Sequence, residues 1–120
     1  MRLIIASKNV HKIREFRAIL KLFPKLDVLS LIDFPFYIPQ EEIGTSFIEN
    51  SIAKAIHAAA QLDAWVIADD SGLIVPALNG EPGIFSHRYA GDNATDKQNR
   101  QKLLNSMQHL QDPLRHAYFE

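Results

Sequence analysis

Short apolar runs alternate along the chain with stretches in which apolar residues recur every three or four positions, the pattern of strands interleaved with amphipathic helices. Arg2 to Ala6 reads as a strand. Ser7-Lys8-Asn9 interrupts it with helix-capping side chains, and Val10, Ile13, Phe16, Leu20 and Phe23 then form one helical stripe that Pro24 stops. A second strand is expected near Asp27 to Ile32, followed by a loop holding Pro35, Pro39, Gln40, Glu41, Glu42 and Gly44. Loops of this length inside a compact domain are often functional. Ser46-Phe47-Ile48-Glu49 has the S-x-x-E form of a capping box and opens a helix running to Leu62. Its apolar stripe, Ile48, Ile52, Ala55, Ala59 and Leu62, is expected to face the core, leaving Asn50, Lys54, His57 and Gln61 on the opposite face, which is solvated unless it borders the cleft above Asp70.

Trp65 to Ala68 reads as a buried strand that ends in the acidic turn Asp69-Asp70-Ser71-Gly72. A short strand over Leu73 to Val75 and a turn-rich Asn79-Gly80-Glu81-Pro82-Gly83 come next. Thr95-Asp96-Lys97-Gln98 is a second capping box, with Leu103, Met107 and Leu110 as the core stripe of its helix and Asp112-Pro113 as the stop. Leu114 to Glu120 resembles the start of another strand. The alternation predicts an α/β fold, a mixed central sheet flanked by helices, in one domain over 1–120.

Two places carry candidate chemistry. Open α/β sheets bind ligands beyond the carboxyl ends of their strands, so Asp69 and Asp70 at a strand tip are placed to hold a hard cation through oxygen; the alternative is that Asp, Ser and Gly simply form a turn. Lys12 falls on the apolar side of the first helix, in the turn where the helix dipole disfavours cations. An anion held by backbone N–H groups of that turn would relieve the conflict, and so would a snorkelling lysine paired with Glu15.

Composition narrows the function classes. With 47% hydrophobic residues the chain can build a core, and 13 Lys plus Arg against 14 Asp plus Glu leave no global field for gathering nucleic acid or anionic lipid. The absence of cysteine removes disulfides, thiolate metal sites and a cysteine nucleophile. The apolar run Leu3 to Ala6 is shorter than a signal segment and no stretch reaches membrane-spanning length, so the expected setting is the cytoplasm, with neither a nucleic-acid nor a membrane partner. Histidines 11, 57, 87, 109 and 116 show no i, i+4 pairing, and no G-x-S-x-G, P-loop or G-x-G-x-x-G motif is present.

Four blocks in register nevertheless make a specific pattern: Ser7-x-Asn9-x-x-Lys12-x-x-Glu15; Glu42-x-Gly44-x-Ser46-Phe47-x-Glu49-Asn50 continuing to Lys54-Ala55; Ala68-Asp69-Asp70-Ser71-Gly72-Leu73; and Pro82-Gly83 leading to Ser86-x-Arg88-Tyr89. With these the sequence resembles the inosine triphosphate pyrophosphatase family, whose members cleave deaminated purine nucleoside triphosphates (ITP, dITP, XTP) to monophosphate and pyrophosphate. The resemblance implies that Ser7, Asn9, Lys12 and Lys54 bind the triphosphate, with Ser71 and Arg88 also at the substrate. It implies Mg²⁺ held by Asp70 with Asp69 and Glu42 or its neighbour Glu41, Asp70 as the water-activating base, and a homodimer.

Lys8, Pro76 and His87 depart from the family pattern at tolerable positions. The larger departure is length: the family continues into further central strands, a glycine-rich F-G-Y-D segment and a late His-Arg pair that grip base and ribose. The expectation is therefore a fold truncated before its C-terminal strands, with little selective hydrolysis by itself. The competing expectations are a catalytically silent nucleotide- or phosphate-binding fragment and a structural chain that needs a partner to complete its sheet.

Overall fold

The computed structural model describes residues 1–120, which divide into two compact units, Met1–Asp69 and Asp70–Glu120. The first unit is built from strand β1 (Arg2–Ile5), helix α1 (Val10–Leu20), strand β2 (Asp27–Ser30), helix α2 (Phe47–Leu62) and strand β3 (Trp65–Ile67). The strands form a parallel sheet in the order β2-β1-β3, with Leu3 opposite Val28 on one side and Trp65 on the other. Parallel crossovers are right-handed, so reversing direction at β1 sends α1 and α2 to opposite faces. The switch point of such a sheet lies between β1 and β3, where ligand crevices form beyond the strand ends. Ser7 and Asp69 follow those two strands.

Ile4, Ala6, Leu31, Tyr37 and Ala58 make the buried core, with Leu29, Leu62, Val66 and Ala68 packed against it. Strand alternation turns Ile5, also buried, to the opposite face. Caps start the helices where the sequence placed them. Asn9 Oδ1 accepts from the His11 and Lys12 N–H groups, and Ser46 Oγ accepts from the Glu49 N–H. The second cap is not a reciprocal box: the Glu49 carboxylate reaches past Ser46 to the Thr45 N–H at 2.7 Å and the Thr45 hydroxyl at 3.0 Å.

Two expectations need correction. β3 is an edge strand with Trp65 exposed, because no further strand pairs beyond it. More consequentially, the buried side of α2 is rotated from the expected stripe: Leu62 still packs against the core and Gln61 is exposed, but the N-terminal part turns Asn50, Lys54 and His57 inward and its isoleucines outward. Asn50 is 1% exposed and Ala58 is sealed, while Ile48, Ile52 and Ile56 stand 71%, 53% and 65% exposed. The methyl side chain of Ala58 lets the helix approach the core closely, and the polar residues beside it find partners in the loop over 34–46. Burying the isoleucines instead would leave that loop's polar groups without partners, at about 1–3 kcal/mol for each buried group.

The second unit pairs strand β4 (Leu73–Ile74) with strand β5 (Tyr118–Phe119) in an antiparallel ladder. The antiparallel component of the expected mixed sheet thus forms a separate two-stranded sheet. A 3-10 segment Gly83–Arg88 precedes helix α3 (Asp96–Ser106), whose capping box at Thr95 and Gln98 is complete. α3 ends earlier than Asp112-Pro113 suggested, with the buried Met107 as its C-cap.

Candidate active site

Within Met1–Asp69 two lysines and two carboxylates converge. Lys12 Nζ lies 2.8 Å from Asp69 Oδ2, with both side chains about a quarter to a third exposed. Lys54 Nζ lies 2.8 Å from Glu42 Oε1 and donates to the Asp69 carbonyl oxygen at 3.0 Å. The partner of Lys12 is therefore the acid at the tip of β3 rather than Glu15 in its own helix. Glu42 is half-buried in this cluster, whereas its neighbour Glu41 is exposed. These half-buried pairs are less screened by solvent than surface ones, and each lysine faces a carboxylate that it could exchange for another anion.

The first turn of α1 differs from the expected anion cradle. Its His11 and Lys12 N–H groups are already taken by Asn9 Oδ1, at 3.0 and 3.4 Å, and the Asn9 N–H donates to Ser7 Oγ at 3.0 Å. Ser7 and Asn9 thus shape the turn that projects Lys12. A concavity of about 480 Å³ lined by Arg17, Leu20, Lys21, Phe23 and Val28 contains none of the candidate residues.

In Asp70–Glu120, Asp70 is half-buried and Ser71 exposed at the start of the unit. Gly72 is needed for close approach, since a Cβ there would overlap the Gly83 carbonyl oxygen and crowd Ser86 Oγ. Ser86 Oγ accepts from the Leu73 N–H at 2.9 Å and donates to the Gly83 oxygen. The Arg88 guanidinium carbon sits 5.1 Å from the Phe85 ring centroid. Asn99 on α3 brackets this arginine, donating to the His87 carbonyl at 2.9 Å and accepting from the Ala90 N–H at 2.8 Å. Lys102 donates to the Tyr89 carbonyl at 2.7 Å. The sequence reading missed Asn99 and Lys102 as organisers of this segment; their i, i+3 spacing on a helix with few apolar residues was the available signal.

No three acid or histidine side chains converge on one point as a preformed metal cage. The donor chemistry still suits Mg²⁺, which takes one or two carboxylates and completes its shell with water and substrate phosphate oxygens.

The paired lysines and carboxylates lie beyond the strand ends of the parallel sheet, where open α/β sheets form their ligand crevices. The chain belongs to the Ham1 family, whose model matches residues 3–120. It is similar to the dITP/XTP pyrophosphatase of Protochlamydia amoebophila (strain UWE25), 54% identical over all of this chain and 61% of the relative. The dITP/XTP pyrophosphatase of Chlamydia abortus (strain DSM 27085 / S26/3) is 50% identical over all of this chain and 59% of its own. Among solved structures, a HAM1 protein from Coxiella burnetii superposes with a TM-score of 0.84 at 40% identity, over 99% of this chain and 59% of that one. The Staphylococcus aureus Ham1 protein gives 0.80 at 46% identity over the same shares. The chain thus spans about 60% of the length of the relatives it matches.

Proposed function

We propose that this chain carries the phosphate- and metal-handling part of a nucleoside triphosphate pyrophosphatase acting on deaminated purine nucleotides such as ITP, dITP and XTP. The observation that carries the reading is the joint placement of Lys12 and Lys54 on Asp69, with Glu42 closing the cluster. Its two positive and two negative charges pair with one another, so the lysines offer partners to phosphate oxygens and the carboxylates offer partners to a cation. Lys12 and Lys54 would exchange their carboxylate partners for phosphate oxygens, and Glu42, Asp69 and Asp70 would hold Mg²⁺, with Glu41 a poorer candidate because it is exposed. Bound Mg²⁺ would offset charge developing on the phosphate oxygens as pyrophosphate leaves. Asp70 accepts the proton of the attacking water, and Ser7 and Asn9, which shape the turn from which Lys12 reaches out, bind the triphosphate beside it. Ser71 and Arg88 contact the nucleotide. A homodimer working in the cytoplasm belongs to the same reading.

A second reading, phosphate binding without turnover, has support in one fact: the pairs Lys12–Asp69 and Lys54–Glu42 give partners for phosphate, and Asp70 is a member of neither. Pyrophosphate release from ITP and ATP with Mg²⁺, beside calorimetric titration with pyrophosphate and Mg²⁺, separates the two. The first reading expects release from ITP that Asp70→Asn abolishes; binding with no release supports the second. If the Lys12→Met, Lys54→Met double variant binds pyrophosphate as tightly as the parent chain, both readings fall.

A further inference from the structure

The inward face of α2 carries Asn50, Lys54 and His57, spaced four and three residues apart and therefore stacked on successive turns. Each grips the preceding loop, and in reverse order. Asn50 Oδ1 accepts from the Gly44 N–H at 2.9 Å, Lys54 faces Glu42 at 2.8 Å, and His57 Nδ1 lies 2.6 Å from the Tyr37 hydroxyl. The loop thus lies antiparallel along the helix, held at both ends with Glu42 between the holds. Both holds are close fitted: Tyr37 belongs to the buried core, and a Cβ on Gly44 would overlap Asn50 Oδ1.

We propose that the Tyr37–His57 hydrogen bond, together with Asn50–Gly44, positions the Glu42 carboxylate for metal binding, making Tyr37, His57 and Asn50 positioning residues. The inference rests on the reading of Glu42 as a metal carboxylate. A carboxylate on an unpinned loop would have to be ordered when the ion arrives, and that ordering costs affinity. Pinning the loop beforehand removes the cost, and a bond between two ring side chains does so with few rotatable angles.

Tyr37→Phe deletes only the hydroxyl and keeps the ring in the core, so it tests the latch without removing packing. Amide hydrogen exchange over 38–45 is expected to quicken about fivefold, the opening expected from losing one hydrogen bond. Mg²⁺-dependent pyrophosphate affinity should fall by a similar factor, with the melting temperature lower by only about 3–5 °C, the shift that about 1 kcal/mol implies. A Tyr37→Phe, His57→Leu double variant should lose no more affinity than the worse single variant, because the two groups act through one bond. Unchanged exchange and affinity in Tyr37→Phe, or additive losses in the double variant, would overturn the proposal. Glu42→Gln separates the two layers: pyrophosphate binding indifferent to it overturns the metal role of Glu42, and with it the positioning claim, even if exchange still shows the loop latched.

Discussion

Two helices in this chain organise their neighbouring segments by one device and put it to different ends. On α2, Asn50 Oδ1 accepts from the Gly44 N–H and Lys54 donates to the Asp69 carbonyl. On α3, Asn99 Oδ1 accepts from the Ala90 N–H and Lys102 donates to the Tyr89 carbonyl. The remaining contact of each lysine differs. Lys54 faces the Glu42 carboxylate at 2.8 Å, while Lys102 lies over the Tyr89 ring at 4.2 Å from its centroid. A lysine held by carbonyl and ring is a clamp, and one held by a carboxylate has a charged partner that it can exchange. The asparagine contacts are thus alike in the two helices, and the carboxylate partner is what sets Lys54 apart from Lys102.

The largest effect should come from removing the exchangeable cations. Lys12→Met or Lys54→Met is expected to weaken Mg²⁺-pyrophosphate binding about 10- to 100-fold, since a charge-assisted hydrogen bond is worth about 1.5–3 kcal/mol. Lys102→Met should leave that affinity alone; an equal loss in a calorimetric titration would erase the distinction between the two helices. Next in size, Asn99→Ala breaks both bonds that bracket Arg88 and should cost about 2 kcal/mol in urea unfolding. If its main effect were instead on pyrophosphate affinity, α3 would belong with the chemistry.

Two titrations probe the holds on the α2 loop and should be smaller. Burial raises the Tyr37 hydroxyl above its ordinary value of 10.0. A raised value means that the fold favours the neutral phenol, so this contribution to stability is complete below 10.0 and is lost as pH rises through the folded-state value. Thermal melts on the alkaline side should fall less steeply in Tyr37→Phe. Glu49 moves the other way: the Thr45 N–H, and then the Thr45 hydroxyl, hold its carboxyl below the ordinary 4.5. Its contribution is present above that value and disappears as pH falls through the lower folded-state value, so Glu49→Gln should flatten the acid limb of the melting profile. Unaltered profiles in these variants would show that neither the burial of the Tyr37 hydroxyl nor the Thr45–Glu49 contact adds to stability.

Much of the candidate site could be read before any coordinates. The four motif blocks name Lys12, Lys54, Glu42 and Asp69, and the structure brings these residues together. The partner of Lys12 was not legible, because Glu15 and Asp69 are equally plausible on charge alone and only the return of β3 beside β1 favours one. That Asn50, Lys54 and His57 turn inward is not legible locally for a related reason. A polar stripe normally faces water, and nothing local shows that Gly44, Glu42 and Tyr37 will be laid along it.

What the sequence by itself determined is where the helices begin and what family the chain belongs to. Asn9, Ser46 and Thr95 bond within three residues of themselves, so the chain needs no distant partner to place those starts. Tertiary structure alone decided which face of α2 is buried and which acid each lysine meets. Those outcomes weigh the burial of three isoleucines against the polar partners supplied by a folded loop, and that balance exists only once remote segments are in contact.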